Sequence, residues 1–111
     1  MPRDYKVYLD DIIEAIERIR DYTTEISFET FHNDRKTVDA VNRNLAIIGE
    51  AVNRIPEEIK ANYPNVDWYG IIGLRNILIH DYFRVDLEII WDIIENKLSQ
   101  LEKQVKEMYQ E

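Results

Sequence analysis

The 111-residue chain has no cysteine, only three glycines and three prolines, and no apolar run longer than a few residues. Without thiols, disulfides and thiolate metal sites are excluded, and a reducing, cytoplasmic setting is the compatible one. So few breakers predict long helices. The apolar runs fall far short of a membrane span, and the start, MPRDYKVYLD, lacks the apolar centre of a signal peptide. Basic charge is scarce as well: 14 Lys and Arg face 22 Asp and Glu, for a formal net charge of -8. Phosphate binding normally rests on a broad basic surface, so any contact with nucleic acid has to run through a local basic pocket. Solubility or a basic protein partner is the other use of such acidity. What is present is ordinary for a globular protein, with 45% hydrophobic and 32% charged residues. The length fits one domain over residues 1–111 with a core that needs no staples.

Helical periodicity runs through most of the chain. Tyr5, Tyr8, Ile12, Ile16 and Ile19 step by threes and fours within a first segment from about Arg3 to Thr23. Ser27 suits the N-cap of a short helix anchored by Phe28 and Phe31. Val38, Val41, Leu45, Ile48, Val52 and Ile55 form an unbroken seam that Pro56 stops. Pro56 can open a short helix, Glu57 to Asn62, as its first-turn residue, and Pro64 closes it. Asp67 is placed to cap a helix from Trp68 to about His80. Asp81 to Val85 reads as a connection. A last helix starts near Asp86, with Leu87, Trp91, Ile94, Leu98, Leu101 and Val105 as its stripe. The expected fold is all-α: an up-and-down bundle of four main helices plus short ones. Trp68 and Trp91 are expected as core anchors.

The chemistry concentrates in Arg75-Asn76-Ile77-Leu78-Ile79-His80-Asp81-Tyr82. Arg binds phosphate bidentately and keeps its proton, and His takes and gives a proton near neutrality. Together they suit phosphodiester cleavage. Asn76 and His80 are four apart and share a helix face. Arg75 and His80 are five apart and diverge by about 140°. Three geometries reconcile them: the helix ends before His80, the Arg side chain reaches round, or two copies face one another across a two-fold axis. The third is favoured and predicts a composite site between protomers. Taken alone, a His at a helix end is most often a cap or a surface residue. A helical Arg is most often an ion-pair partner, here for Asp81 or Glu50. Glu50, between Gly49 and Ala51, is expected to be buried and paired, as an orienting residue or a structural ion pair. Arg43 and Asn44 are candidates to line the same cleft. His32 has no second ligand at metal spacing and reads as a surface residue. No metal or cofactor is called for.

Arg75…His80-Asp81-Tyr82 resembles the motif of the HEPN superfamily, and more narrowly of its HepT group. The likeness extends over nearly the whole chain. Asp39 to Ala51 is similar to the group's second helix, Trp68 and Gly73-Leu74-Arg75-Asn76 to its approach to the motif, and Val85 to Trp91 to the start of its last helix. The resemblance implies a homodimeric, metal-independent ribonuclease toxin of a two-gene toxin–antitoxin module, acting on RNA, tRNA among the classes cut. It implies Arg75 and His80 as catalytic residues, with Asn76 supporting them. It also implies a partner, a minimal nucleotidyltransferase antitoxin that transfers AMP from ATP to Tyr82. Whether dimers assemble further with the antitoxin is left open. The competing reading is a non-catalytic helical partner of a nucleotidyltransferase, which the acidic surface suits.

Overall fold

The computed structural model describes residues 4–111, so the expected helix start at Arg3 lies outside the described residues. Helix α1, Tyr5–Thr23, opens on Asp4, whose carboxylate accepts the Lys6 amide at 3.0 Å. It buries Tyr8, Ile12, Ile16 and Ile19 of the predicted stripe, with Leu9 and Ala15 beside them, while Tyr5 is only partly buried. Glu25, at φ 62°, turns the chain. Ser27 caps α2, Phe28–His32, by accepting the Thr30 amide at 3.1 Å. Asp34 then caps α3, Arg35–Arg54, accepting from the Thr37 amide at 3.2 Å and the Thr37 hydroxyl at 2.6 Å. The helix therefore begins about a turn before its apolar seam, because the cap and not the seam sets its start.

Ile55 takes an extended conformation before Pro56. Pro56 is the N-cap of α4, Glu57–Ala61, and not its first-turn residue as expected. Its ψ of 143° keeps it outside the helix. Asp67 caps α5, Trp68–His80, through the Gly70 amide at 3.1 Å. The connection that follows holds a single 3₁₀ turn, Tyr82–Arg84.

The last segment is not one regular helix. It comprises α6, Leu87–Asp92, a wide π turn, Ile93–Lys97, and α7, Leu98–Tyr109. The reason lies in the buried face. Ile90 is fully buried and Leu98 nearly so, eight residues apart. In a regular helix those positions diverge by about 80° at 100° per residue. A π turn takes up an extra residue and brings them to one face.

Among the described residues there is no strand, and the fold is the expected all-α bundle. α3 packs between α1 and α5, and α7 covers α1. Leu9, Ile12, Ile16 and Ile19 meet Val41, Val52, Ile90, Val105 and Met108 in a core without solvent access. Each such side chain contributes about 1.5–3 kcal/mol. Trp68 is buried as expected, its indole N–H donating to the carbonyls of Lys60 and Tyr63 at 3.2 and 3.0 Å. Trp91 is only partly buried but packs against the core, over Phe31 and Phe28, while Ile90 takes the inward position. Among the described residues no helix is long and apolar enough to cross a membrane.

Candidate active site

α5 carries the motif and is unusual in its covering. Its sequence is apolar nearly all round, yet within the chain only Trp68 and Leu78 are buried. Ile77 and Ile79 are 45% and 48% exposed. A Cβ added at Gly73 would meet no atom within 4 Å. Beside it runs an open groove of about 490 Å³ whose lining includes Ile71, Leu74, Ile77, Ile89, Ile93 and Leu98.

On its opposite side α5 approaches α3 very closely. A Cβ at Gly49 would lie 2.2 Å from Arg75 Cβ and 3.2 Å from the Ile71 carbonyl oxygen. Glycine at this position is what lets the two helices come together. The Arg75 stem fills that space, and its guanidinium is gripped beyond it. Nη2 donates to Glu50 at 2.6 Å and Nη1 to the Asn76 Oδ1 at 2.8 Å. Nε is buried and has no partner. Glu50 also accepts from Arg54 Nε at 3.2 Å. The hydrogen bond from Arg75, assisted by Arg54, outweighs partial burial and holds the Glu50 carboxyl below its ordinary value. Of the two partners expected for Arg75, Glu50 is the one found, while Asp81 pairs with Arg84 at 3.1 Å. Glu50 is not buried as expected: its side chain is 37% exposed. It sits at the rim of the seam, where two arginines share it.

His80 is the last residue of α5 and is exposed. Two of the three expected geometries are thereby removed for the single chain. The helix runs on through His80, and Arg75 is turned into α3 instead of reaching round. Among the described residues no hydrogen bond or ion pair engages His80. Asn76 shares its face but is directed to Arg75. Arg43 is exposed, seven residues before Glu50 and so on the same side of α3. Asn44 does not line an open cleft: it is 5% exposed and donates to the Ala40 carbonyl at 2.9 Å. Tyr82 is 71% exposed on the 3₁₀ turn. His32 lies at the surface beside Phe28, as expected. Among the described residues no three His, Asp or Glu side chains gather as a metal site.

One charged cluster escaped the sequence reading. Lys60 is only 4% exposed and pairs with Glu57 at 3.4 Å, and Glu57 also accepts from the Tyr69 hydroxyl at 3.0 Å. Nothing in the sequence marks this lysine, because α4 is too short for its periodicity to show which face turns inward.

The chain is thus an all-α bundle whose apolar helix α5 carries Arg75 and His80 in an Arg-X4-His spacing. The chain belongs to the HepT-like ribonuclease family: the family model described as "Ribonuclease HepT-like" matches residues 12–108. It is 45% identical to "Probable ribonuclease HepT" of Thermococcus cleftensis, covering 91% of this chain and 92% of that protein. It is 44% identical to a "Putative RNase" of Methanocaldococcus jannaschii, with 97% and 90% covered. A "Putative RNase" of Caldanaerobacter subterraneus is 43% identical, with 93% and 92% covered. No solved structure matches the chain. The protein is a ribonuclease, and the acidic chain has RNA as its substrate class.

Proposed function

We propose that this ribonuclease is a metal-independent endonuclease in which two copies of the chain pool Arg75 and His80 in one cleft, and that it serves as the toxin of a toxin–antitoxin pair. The observation that carries the reading is the divergence within one α5: Arg75 is clamped on α3 while His80 stands free at the helix end. One helix cannot aim both at one phosphate, whereas a two-fold axis supplies the second set at no cost in sequence. The uncovered apolar side of α5 supports this, since a helix that is hydrophobic all round ordinarily has neighbours all round.

The chemistry uses the RNA itself as nucleophile. The ribose 2′-oxygen attacks the adjacent phosphorus, and the bond to the 5′-oxygen breaks. A 2′,3′-cyclic phosphate and a free 5′-hydroxyl result. His80 takes the 2′-proton or returns one to the leaving 5′-oxygen. Arg75 has two of its five N–H groups engaged and offers others to the phosphate oxygens, where charge builds. Asn76 and Glu50 hold the guanidinium, and Arg43 is a further cation for the RNA backbone. The test is His80→Ala: RNA cleavage is lost while the purified oligomer stays folded. An unchanged cleavage rate would overturn the reading.

A nucleotidyltransferase antitoxin silences the site through Tyr82. The tyrosine oxygen attacks the α-phosphorus of ATP, pyrophosphate leaves, and the hydroxyl proton passes to solvent. The exposure of Tyr82 leaves its hydroxyl open to a second protein. The resulting phosphodiester adds an anion and a bulky nucleoside beside His80, which repels the RNA backbone. Co-production with the partner is expected to raise the intact mass by AMP units that map to Tyr82. Added mass at any other residue would show the modification site to be wrong.

A further inference from the structure

Among the described residues Phe83 is the most exposed of the large apolar side chains, at 76%, and belongs to the turn that leaves the motif. The Tyr82 and Phe83 ring centroids are 6.2 Å apart and the planes meet at 79°, so they touch edge to face. Rings that meet in this way and remain this exposed keep flat surfaces open to solvent. The turn beneath them is closed. The Arg84 amide donates to the Asp81 carbonyl at 2.9 Å and the Val85 amide to the Tyr82 carbonyl at 3.1 Å. Arg84 also pairs with Asp81 at 3.1 Å, and Val85 packs against the core. This is a braced display of an aromatic ring rather than a frayed loop. It lies three residues from His80, at most about 11 Å along the backbone.

We propose that Phe83 is a stacking platform for an unpaired nucleobase, which limits this ribonuclease to single-stranded or looped RNA. The inference rests on the ribonuclease reading and adds its substrate form. Charge favours it. A chain of net charge -8 draws little affinity from phosphate contacts at large. A base stacked on an aromatic side chain gains affinity that does not depend on net charge, about ten- to hundredfold for each base. A base inside a duplex is already stacked on its neighbours and presents no face. Phe83 thus supplies both the affinity that the acidic surface withholds and a discrimination between paired and unpaired RNA. Arg84, beside it and largely exposed, stands ready for the flanking phosphate.

The experiment measures binding of a fluorescent, unstructured 30-nucleotide RNA by full-length protein carrying His80→Ala, so that nothing is cut. Adding Phe83→Ala is expected to weaken binding at least tenfold. Phe83→Trp retains it, and Phe83→Leu, which keeps apolar bulk without a π face, does not. The same RNA annealed to its complement binds at least tenfold more weakly. Phe83→Ala binding like its parent, equal binding of the duplex, or no RNA binding at all would each overturn the proposal. So would a loss of oligomer mass on Phe83→Ala, which would make the ring a subunit contact. The two readings fail separately: wild-type cleavage by the His80→Ala protein sinks the nuclease site, whereas normal binding by the Phe83 variants sinks only the platform.

Discussion

Arg75 is held at both ends, its stem by Gly49 and its head by Glu50 and Asn76. The stem has no freedom, so the direction of the guanidinium depends on the carboxylate. Glu50 in turn is shared with Arg54, so its carboxylate keeps a second counter-charge beside Arg75. With side chains 23% and 37% exposed, the Arg75–Glu50 pair is screened by solvent and is worth at most about 1 kcal/mol to stability. Its weight falls on geometry. Glu50→Gln is expected to shift stability by less than about 1 kcal/mol. The same variant is expected to lower kcat about tenfold, equivalent to about 1.4 kcal/mol of transition-state alignment. Denaturant unfolding and steady-state cleavage check the two halves. A variant with full kcat would show Glu50 to be a structural partner only.

α5 has two faces with opposite demands. The face toward α3 is closed to the limit of contact at Gly49. The other face leaves Ile77 half in water and Gly73 open. Glycine inside a helix costs about 1 kcal/mol relative to alanine, and nothing in the single chain requires it at position 73. A second copy of α5 laid across this face would require it. Gly73→Ala is therefore expected to leave the subunit as stable or more so. In the same variant, dimer dissociation should strengthen at least tenfold by analytical ultracentrifugation. A dimer of unchanged affinity would place the interface away from α5. The π turn before α7 answers a related demand, since it lets Ile90 and Leu98 share one core while Ile93 lines the groove beside α5.

At the scale of the whole molecule, surplus acid is tied down by particular cations. Glu102 is pulled up by partial burial, but Arg20 at 2.7 Å and Lys106 outweigh that and hold it below its ordinary value of 4.5. Glu50 is held low by Arg75 and Arg54. Carboxyls whose folded values are depressed bind fewer protons folded than unfolded. Their contribution is present above pH 4.5, the ordinary glutamate value, and is lost as pH falls through the folded values. The melting temperature is expected to hold from pH 7 to 5 and to fall progressively below about pH 4.5. Glu102→Gln should flatten that fall in a melting series. An equally steep fall in the variant would remove Glu102 from the account.

The chain's own pattern determined the all-α class, the stops at Pro56 and Pro64, and the caps at Ser27 and Asp67. Each of these rests on contacts within a few residues, which spacing and residue type encode directly. The stretch from Arg75 to Tyr82 stood out by its residue types and its resemblance to the family motif, and the divergence of Arg75 from His80 followed from helical rotation alone. Only the tertiary structure decided that Arg75 turns to Glu50, 25 residues away, because that choice depends on how closely α5 approaches α3 at Gly49. It also decided the burial of Lys60, the π turn, and the display of Tyr82 and Phe83. These follow from which faces of separate helices meet, and periodicity within one helix carries no information about its neighbour.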